Sequence, residues 1–169
     1  MSKYTSKSCR AIDSPLGQIF LVVAGGALEG LYFAEEADAH LRQASAQPAQ
    51  NDEDADFLDL TCLQLEEYFA GRRKDFKIKL TMQGTPFQKE AWMALEKIPY
   101  GKTISYREQA ESLGSAAKAR AIGQANGRNP ISIIVPCHRV IAADGSLGGY
   151  GGGLERKKWL LDLEGREIN

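Results

Sequence analysis

The chain's 169 residues suffice to bury the core of one domain or two small ones, and no apolar run approaches the about 20 residues of a membrane span, which excludes a membrane-spanning helix. The N-terminal stretch MSKYTSKSCRAIDSP lacks a signal-peptide core, and Cys9, Cys62 and Cys137 are an odd number without a C-x-x-C pair; a cytoplasmic chain with reduced thiols, no disulfide framework and no bound zinc is expected. The formal net charge of −1 argues against nonspecific nucleic-acid binding, yet it hides an asymmetry: 9 basic against 13 acidic residues up to Gly84, and 12 against 9 from Thr85 onward.

Two strands are predicted in GQIFLVV and ALEGLYF, joined at Gly25-Gly26, so residues 8–34 open as a hairpin. The polar AEEADAHLRQASAQPAQNDEDAD reads as a loop with a short helix around His40. Leu58, Cys62, Leu65 and Phe69 recur at helical spacing up to Gly71, and Phe76, Ile78 and Leu80 then alternate as in a strand. Residues 1–84 therefore form a small α+β unit ending in the linker KLTMQGT.

From Thr85 to the end, residues 85–169, the pattern changes to short helices. Thr85-Pro86-Phe87-Gln88 combines an N-cap, a proline at the first helical position and a capping-box glutamine, with Phe87, Ala91, Leu95 and Ile98 on one face. Ser105-Tyr106-Arg107-Glu108 opens a second helix that ends at Gly114, and Ser115 caps a third running to Gly127. Two helices joined by a tight glycine turn are a helix-turn-helix candidate, a weak signal on its own. On the third helix, spacing puts Ile122, Ala125 and Ala121 on the core side, and Ala116, Ala117, Gly123, Gln124 and Gly127 around Arg120 on the other. Small residues around one arginine suit close backbone approach or a narrow groove; an ordinary alanine-rich helix with a solvated arginine fits equally. The window from Lys97 to Arg139 holds seven basic residues and two acidic ones, a patch able to meet a polyanion.

Ile131, Ile133, Ile134 and Val135 read as a buried strand that Pro136 ends, placing Cys137 where strand meets turn and His138 beside it. On their own these residues fit a small core thiol with a satisfied polar neighbour better than a reactive site. The glycine cluster GSLGGYGGGLERKK lacks a phosphate-loop pattern; its glycines around Tyr150 either admit a flat ligand close to main-chain N–H groups or form a mobile loop. A last helix from Leu154 to Glu164 puts Glu164 where the helix dipole opposes a carboxylate, so a cationic or hydrogen-bonding partner is required. Adjacent residues point apart, so His138 reaches the Cys137 sulfur only through a water. With Glu164 orienting His138, the series Glu-His-water-Cys delivers a thiolate at neutral pH.

ISYRE, KARAIGQANGRNP, IVPCHRVI, GGYGGGLERKKWLL and the EG at 164–165, in this order and spacing, resemble the O6-alkylguanine-DNA alkyltransferases, also called methylated-DNA-protein-cysteine methyltransferases. SPLGQIFLV and FAGRRKDF resemble that family's more variable first domain. The resemblance implies an α+β protein with a helix-turn-helix second domain that flips O6-alkylguanine out of duplex DNA, with O4-alkylthymine left open as a second substrate. It implies a single-turnover methyltransferase that keeps the alkyl group on Cys137, with His138 as base through water and Glu164 holding His138. Tyr106 would bond the guanine N3, Tyr150 would lie against the base, the Cys137 and Val140 carbonyls would accept its amine, the Gly151 N–H would approach O6, and Asn129 would brace the turn before Cys137. Arg120 would fill the stack from the minor groove, with Ala119, Ala121, Gly123 and Gln124 beside it on the DNA. No cofactor, no metal, no obligate protein partner and a monomeric state are implied.

Gly151 stands where vertebrate members have serine, Ser132 where they have a pocket-lining proline, and Asn126 where they have a larger apolar residue, which bears on how bulky an alkyl group fits. Three other classes compete. A lesion binder without repair would lack the cysteine, a cysteine hydrolase would place its histidine far from the cysteine in sequence, and a helix-turn-helix regulator would leave Cys137, His138 and Glu164 without a purpose.

Overall fold

A computed structural model describes residues 2–165. The chain divides into two compact units, Met1–Met82 and Gln83–Asn169. No helix among the described residues is long and apolar enough to cross a membrane.

The first unit is built on a three-stranded antiparallel sheet, β1 (Ser8–Ile12), β2 (Ile19–Ala24) and β3 (Ala27–Phe33), in that spatial order. The predicted hairpin is β2–β3, turning at Gly25 and Gly26, both at positive φ, where a side chain would be strained. The additional strand, β1, pairs Ser8–Ile12 against β2. Its mixed SCRAI sequence has too little alternation to announce a strand. Central β2 is buried on both faces: Phe20 and Val22 join Tyr4, Cys9 and Leu41 in one cluster, and Ile19, Leu21 and Val23 point the opposite way.

Two helices cover this sheet, α1 (Ala39–Ser45) and α2 (Asp52–Phe69). Polar composition predicts a loop through Asp56, but α2 already begins at Asp52. Asn51 caps it by accepting from the Asp54 N–H at 2.8 Å, and Asp52, Glu53 and Asp54 in the first turn complement the positive helix end. The acidic run is thus a helix start rather than loop composition. The strand expected over Phe76–Leu80 is also corrected. The segment is extended and alternates in burial, yet it pairs only through one bridge, Leu28 with Leu80. At Lys77 the side chain of Gln64 replaces a neighbouring strand, accepting from the Lys77 N–H at 2.8 Å and donating to its carbonyl at 3.4 Å.

The second unit contains α3 (Pro86–Glu96), α4 (Tyr106–Ser112), α5 (Ala119–Gly127) and α6 (Leu154–Leu163). Both predicted capping boxes are present: Thr85 with Gln88, and Ser105 with Glu108. A turn with Gly114 at φ 111° and one turn of 3-10 helix at Ala116–Lys118, capped by Ser115, connect α4 to α5. Ala91, Ala110, Ile122 and Ala125 form the core where α3, α4 and α5 meet. Trp92, 2% exposed, donates its indole Nε1–H to the Ala125 carbonyl at 2.9 Å and so fastens α3 to α5. On α5 the assignment of Ala121 to the core is overturned. Ala121 is exposed, and the buried stripe is Ile122, Ala125 and Asn126. A carboxamide, Asn126, holds the place that spacing gave to an alanine, because it finds a buried partner in Gln109.

A two-residue parallel ladder, β4 (Ile104–Ser105) with β5 (Val140–Ile141), ties the start of α4 to the segment that follows Cys137. It sets Tyr106 beside that segment.

Candidate active site

The run Ile131–Val135 is buried but is a turn, not the predicted strand. Ile133 sits at φ 73°, a conformation costly for a β-branched residue, and it persists because the surroundings over-determine it. Asn129 is the clamp. Its Oδ1 accepts from the Ile131 N–H at 3.0 Å, and its Nδ2 donates to the Val135 carbonyl at 2.7 Å and to the Cys137 sulfur at 3.2 Å. β-branched composition signalled burial correctly, but the side-chain clamp decides the backbone path. Past Pro136, Cys137–Arg139 form one turn of 3-10 helix whose three residues are all buried.

His138 is fully buried, with Nε2 at 2.9 Å from Glu164 Oε1. Its Nδ1 is also buried and has no protein hydrogen-bond partner among the described residues. Burial lowers the His138 pKa below its ordinary value, against the pull of the Glu164 carboxylate and with help from the charges of Arg139 and Lys157. The imidazole is therefore neutral at pH 7. Its Nε2–H faces the carboxylate, which leaves the Nδ1 lone pair as an acceptor.

Sequence reasoning asked for a partner at Glu164 and did not find the principal one. Arg139 donates from Nε to Glu164 Oε2 at 2.9 Å and from Nη2 to Oε1 at 2.8 Å, while its Nη1 donates to the Ile98 carbonyl at 2.7 Å. Burial alone would push the Glu164 carboxyl up; hydrogen bonds and charge from His138 and Arg139 outweigh it and bring it down to about 2. The signal was available: an arginine adjoining the histidine, and a carboxylate at the wrong end of a helix. Arg139 consequently leaves the surface patch, in which Lys97, Lys102, Arg120 and Arg128 remain exposed.

Lys157 was also missed. It is fully buried on α6, and its Nζ donates to the carbonyls of Val140 at 2.6 Å and Gly149 at 2.9 Å. Its place three and four residues before Leu160 and Leu161, on the buried stripe, marked it as an interior cation. Tyr106 donates its hydroxyl to the same Gly149 carbonyl at 3.2 Å, and burial pushes the phenol pKa up, so it stays a donor. Gly148, at φ 70°, lies so close that a Cβ would come within 2.8 Å of the Tyr106 ring.

These elements surround a cavity of about 490 Å³. Tyr106, Cys137, Tyr150 and Gly151 line it, together with Ala119, Arg120 and Gly123 of α5. Gly149, Asn126 and Gly127 complete the wall. Cys137 is 7% exposed and looks into this space. His138, Glu164, Asn129 and Val140 are buried outside the lining, and the Val140 carbonyl accepts from Lys157. Ala121 and Gln124 are exposed on α5 outside the cavity, and Ser132 is buried in the turn away from it.

The acid response follows from the two shifts. Folded His138 holds its proton less tightly than the unfolded chain, so its contribution is complete above about 6.5 and is lost as pH falls toward its lowered value. Glu164 adds a second loss between 4.5 and about 2. Thermal melts should therefore show the melting temperature falling from below pH 6.5 and again below 4.5. A flat melting temperature between pH 7 and 5 would contradict a buried neutral His138.

Residues 86–166 match the family described as 6-O-methylguanine DNA methyltransferase, DNA binding domain, and residues 8–82 match its ribonuclease-like domain. The methylated-DNA-protein-cysteine methyltransferase of Mycobacterium leprae is 46% identical over 160 residues, covering 95% of this chain and 93% of that one. The protein of the same name from Methanosarcina acetivorans is 46% identical over 153 residues, covering 90% and 95%. Among solved structures, Mycobacterium tuberculosis OGT in complex with DNA has a TM-score of 0.80 at 44% identity and covers 92% of this chain and 91% of that one. Matched in both of its units and alike in sequence over most of its length, the chain belongs to the 6-O-methylguanine DNA methyltransferase family.

Proposed function

We propose that the protein repairs DNA by moving the alkyl group of O6-alkylguanine irreversibly onto Cys137. The observation that carries this is the placement of the Cys137 thiol in a cavity wall, backed by a buried neutral His138 and an ionised Glu164. Cys137 gives its proton through a water to Nδ1 of His138, and the thiolate attacks the alkyl carbon. The S–C bond forms as the C–O6 bond breaks, and guanine leaves with the electron pair. Glu164 stabilises the imidazolium, and Arg139 keeps Glu164 ionised. The guanine sits in the cavity against Tyr150, with the Gly151 N–H near O6 and the Tyr106 phenol turning its one O–H from the Gly149 carbonyl to the ring nitrogen. Asn129 holds the Cys137 turn in place, and the Val140 carbonyl keeps one lone pair for the base amine.

Access to the cavity requires the base to leave the duplex. Arg120 is exposed on α5 at the cavity rim, among the small residues Ala119 and Gly123, and we read it as the side chain that enters the minor groove and occupies the vacated stack. Ala121 and Gln124 lie on the same DNA face. The partner is double-stranded DNA, and the free thiols Cys9, Cys62 and Cys137 fit a monomer working in the reducing cytoplasm.

Incubation with a duplex holding one O6-methylguanine tests the reading: intact mass should rise by one CH2 group, in proportion to the lesion supplied, and an unchanged mass overturns it. Arg120→Ala should slow repair of duplex by roughly tenfold to a hundredfold, the penalty of an unfilled stack, and should slow reaction with free O6-benzylguanine far less. Equal losses on the two substrates would remove Arg120 from base extrusion.

A further inference from the structure

Behind the cavity, Gln109 of α4 and Asn126 of α5 face each other as a reciprocal amide pair. Asn126 Nδ2 donates to Gln109 Oε1 at 2.8 Å, and Gln109 Nε2 donates to Asn126 Oδ1 at 3.1 Å and to the Ala91 carbonyl at 3.2 Å. Gln109 is fully buried, with both of its Nε2 hydrogens used. Asn126 differs. The pair uses one Nδ2 hydrogen and one Oδ1 lone pair, no other hydrogen bond to its side chain is made among the described residues, and it lines the same cavity as Cys137.

A carboxamide in a cavity wall usually swivels to suit its guest. This one cannot, because rotation would break both bonds to Gln109 inside the core. The cavity therefore presents a fixed polar point in the same lining as Cys137, to which the transferred group must come. A hydrocarbon pressed against that point leaves the remaining N–H and lone pair without partners, whereas a group carrying a hydroxyl satisfies one of them. We infer that Asn126, locked by Gln109, is a specificity determinant that favours O6 substituents able to hydrogen-bond over hydrocarbons of equal size. The inference rests on the alkyl-transfer reading above.

The test compares two duplexes that differ only in the lesion, O6-(2-hydroxyethyl)guanine and O6-propylguanine, by single-turnover rate with the full-length protein. The same pair is measured on Gln109→Leu/Asn126→Leu, in which both amides are replaced together so that neither is stranded in the core. The double variant supplies the intrinsic reactivity ratio of the two lesions. The native hydroxyethyl-to-propyl ratio should exceed it by roughly tenfold, the cost of one unmet buried polar group. Ratios that agree within twofold overturn the inference. If the leucine pair does not fold, Gln109→Met/Asn126→Met serves in its place, with more flexible side chains. Transfer from neither duplex removes the inference alone if O6-methylguanine is still repaired, and the functional reading with it if that lesion is not; transfer from both with native and variant ratios equal also removes the inference alone.

Discussion

Replacing Cys137 with alanine will abolish alkyl transfer while leaving binding of a lesion-bearing duplex intact, and the native protein will stop after one equivalent. A thioether is the product of attack by the Cys137 sulfur, and its sulfur is a poor leaving group under neutral conditions. In the proposed mechanism His138 and Glu164 take a proton from a thiol, and a thioether has none to give. Each molecule should therefore show a burst equal to the protein present. The other two thiols do not compete. Burial pushes Cys9 up to about 11 and Cys62 above its ordinary value, so both stay protonated and weakly nucleophilic at pH 7. Peptide mapping after reaction with a methylated duplex checks both points: the modification belongs on Cys137 alone, and alkyl mass on Cys9 or Cys62, or turnover past one equivalent, would contradict the site.

Arg139→Met will cost about 3–5 kcal/mol of stability, the usual penalty for removing one partner of a buried ion pair. It will also shift the acid limb of the transfer rate to higher pH. Two causes act together. Glu164 loses both bonds from the guanidinium, leaving a carboxylate 1% exposed that is still held by His138. The Arg139 charge also helps to hold the His138 pKa down, so its removal lets the imidazole keep its proton at higher pH, where it no longer serves as a base. Glu164→Gln should move the limb the opposite way, since the carboxylate is what raises His138, and the rate should fall by about a hundredfold or more for want of a charge to steady the imidazolium. Chemical denaturation and a single-turnover pH profile separate the effects. Limbs that move in the same direction in the two variants would show that the three groups do not titrate as a set.

Local signals were the ones the sequence made legible. The capping boxes at Thr85 and Ser105 appear as read, because every atom they need lies within four residues. The α+β character of the first half and the helical second half were also readable from spacing. Features that depend on distant partners were not. Ile131–Val135 looked like a strand because β-branched residues mark burial, and only the Asn129 clamp distinguishes a buried turn from a ladder. Arg139 and Lys157 were passed over because they bond to carbonyls and a carboxylate 8 to 41 positions away. The candidate residues themselves stood out through chemistry, a thiol, an imidazole and a misplaced carboxylate, but nothing in a helical wheel shows that Asn126 turns toward Gln109.

The bond from Trp92 to the Ala125 carbonyl gives the protein a native optical probe. Indole emission responds to the hydrogen bonding and polarity around the ring, and this ring is buried with its N–H fixed to the backbone of the helix that carries Arg120. The sequence has two tryptophans, and the other, Trp159, lies half-buried on α6, so a Trp159→Phe chain would leave a single emitter. Its spectrum then reports whether α5 stays seated on α3 while a base enters the cavity, with no dye or label added.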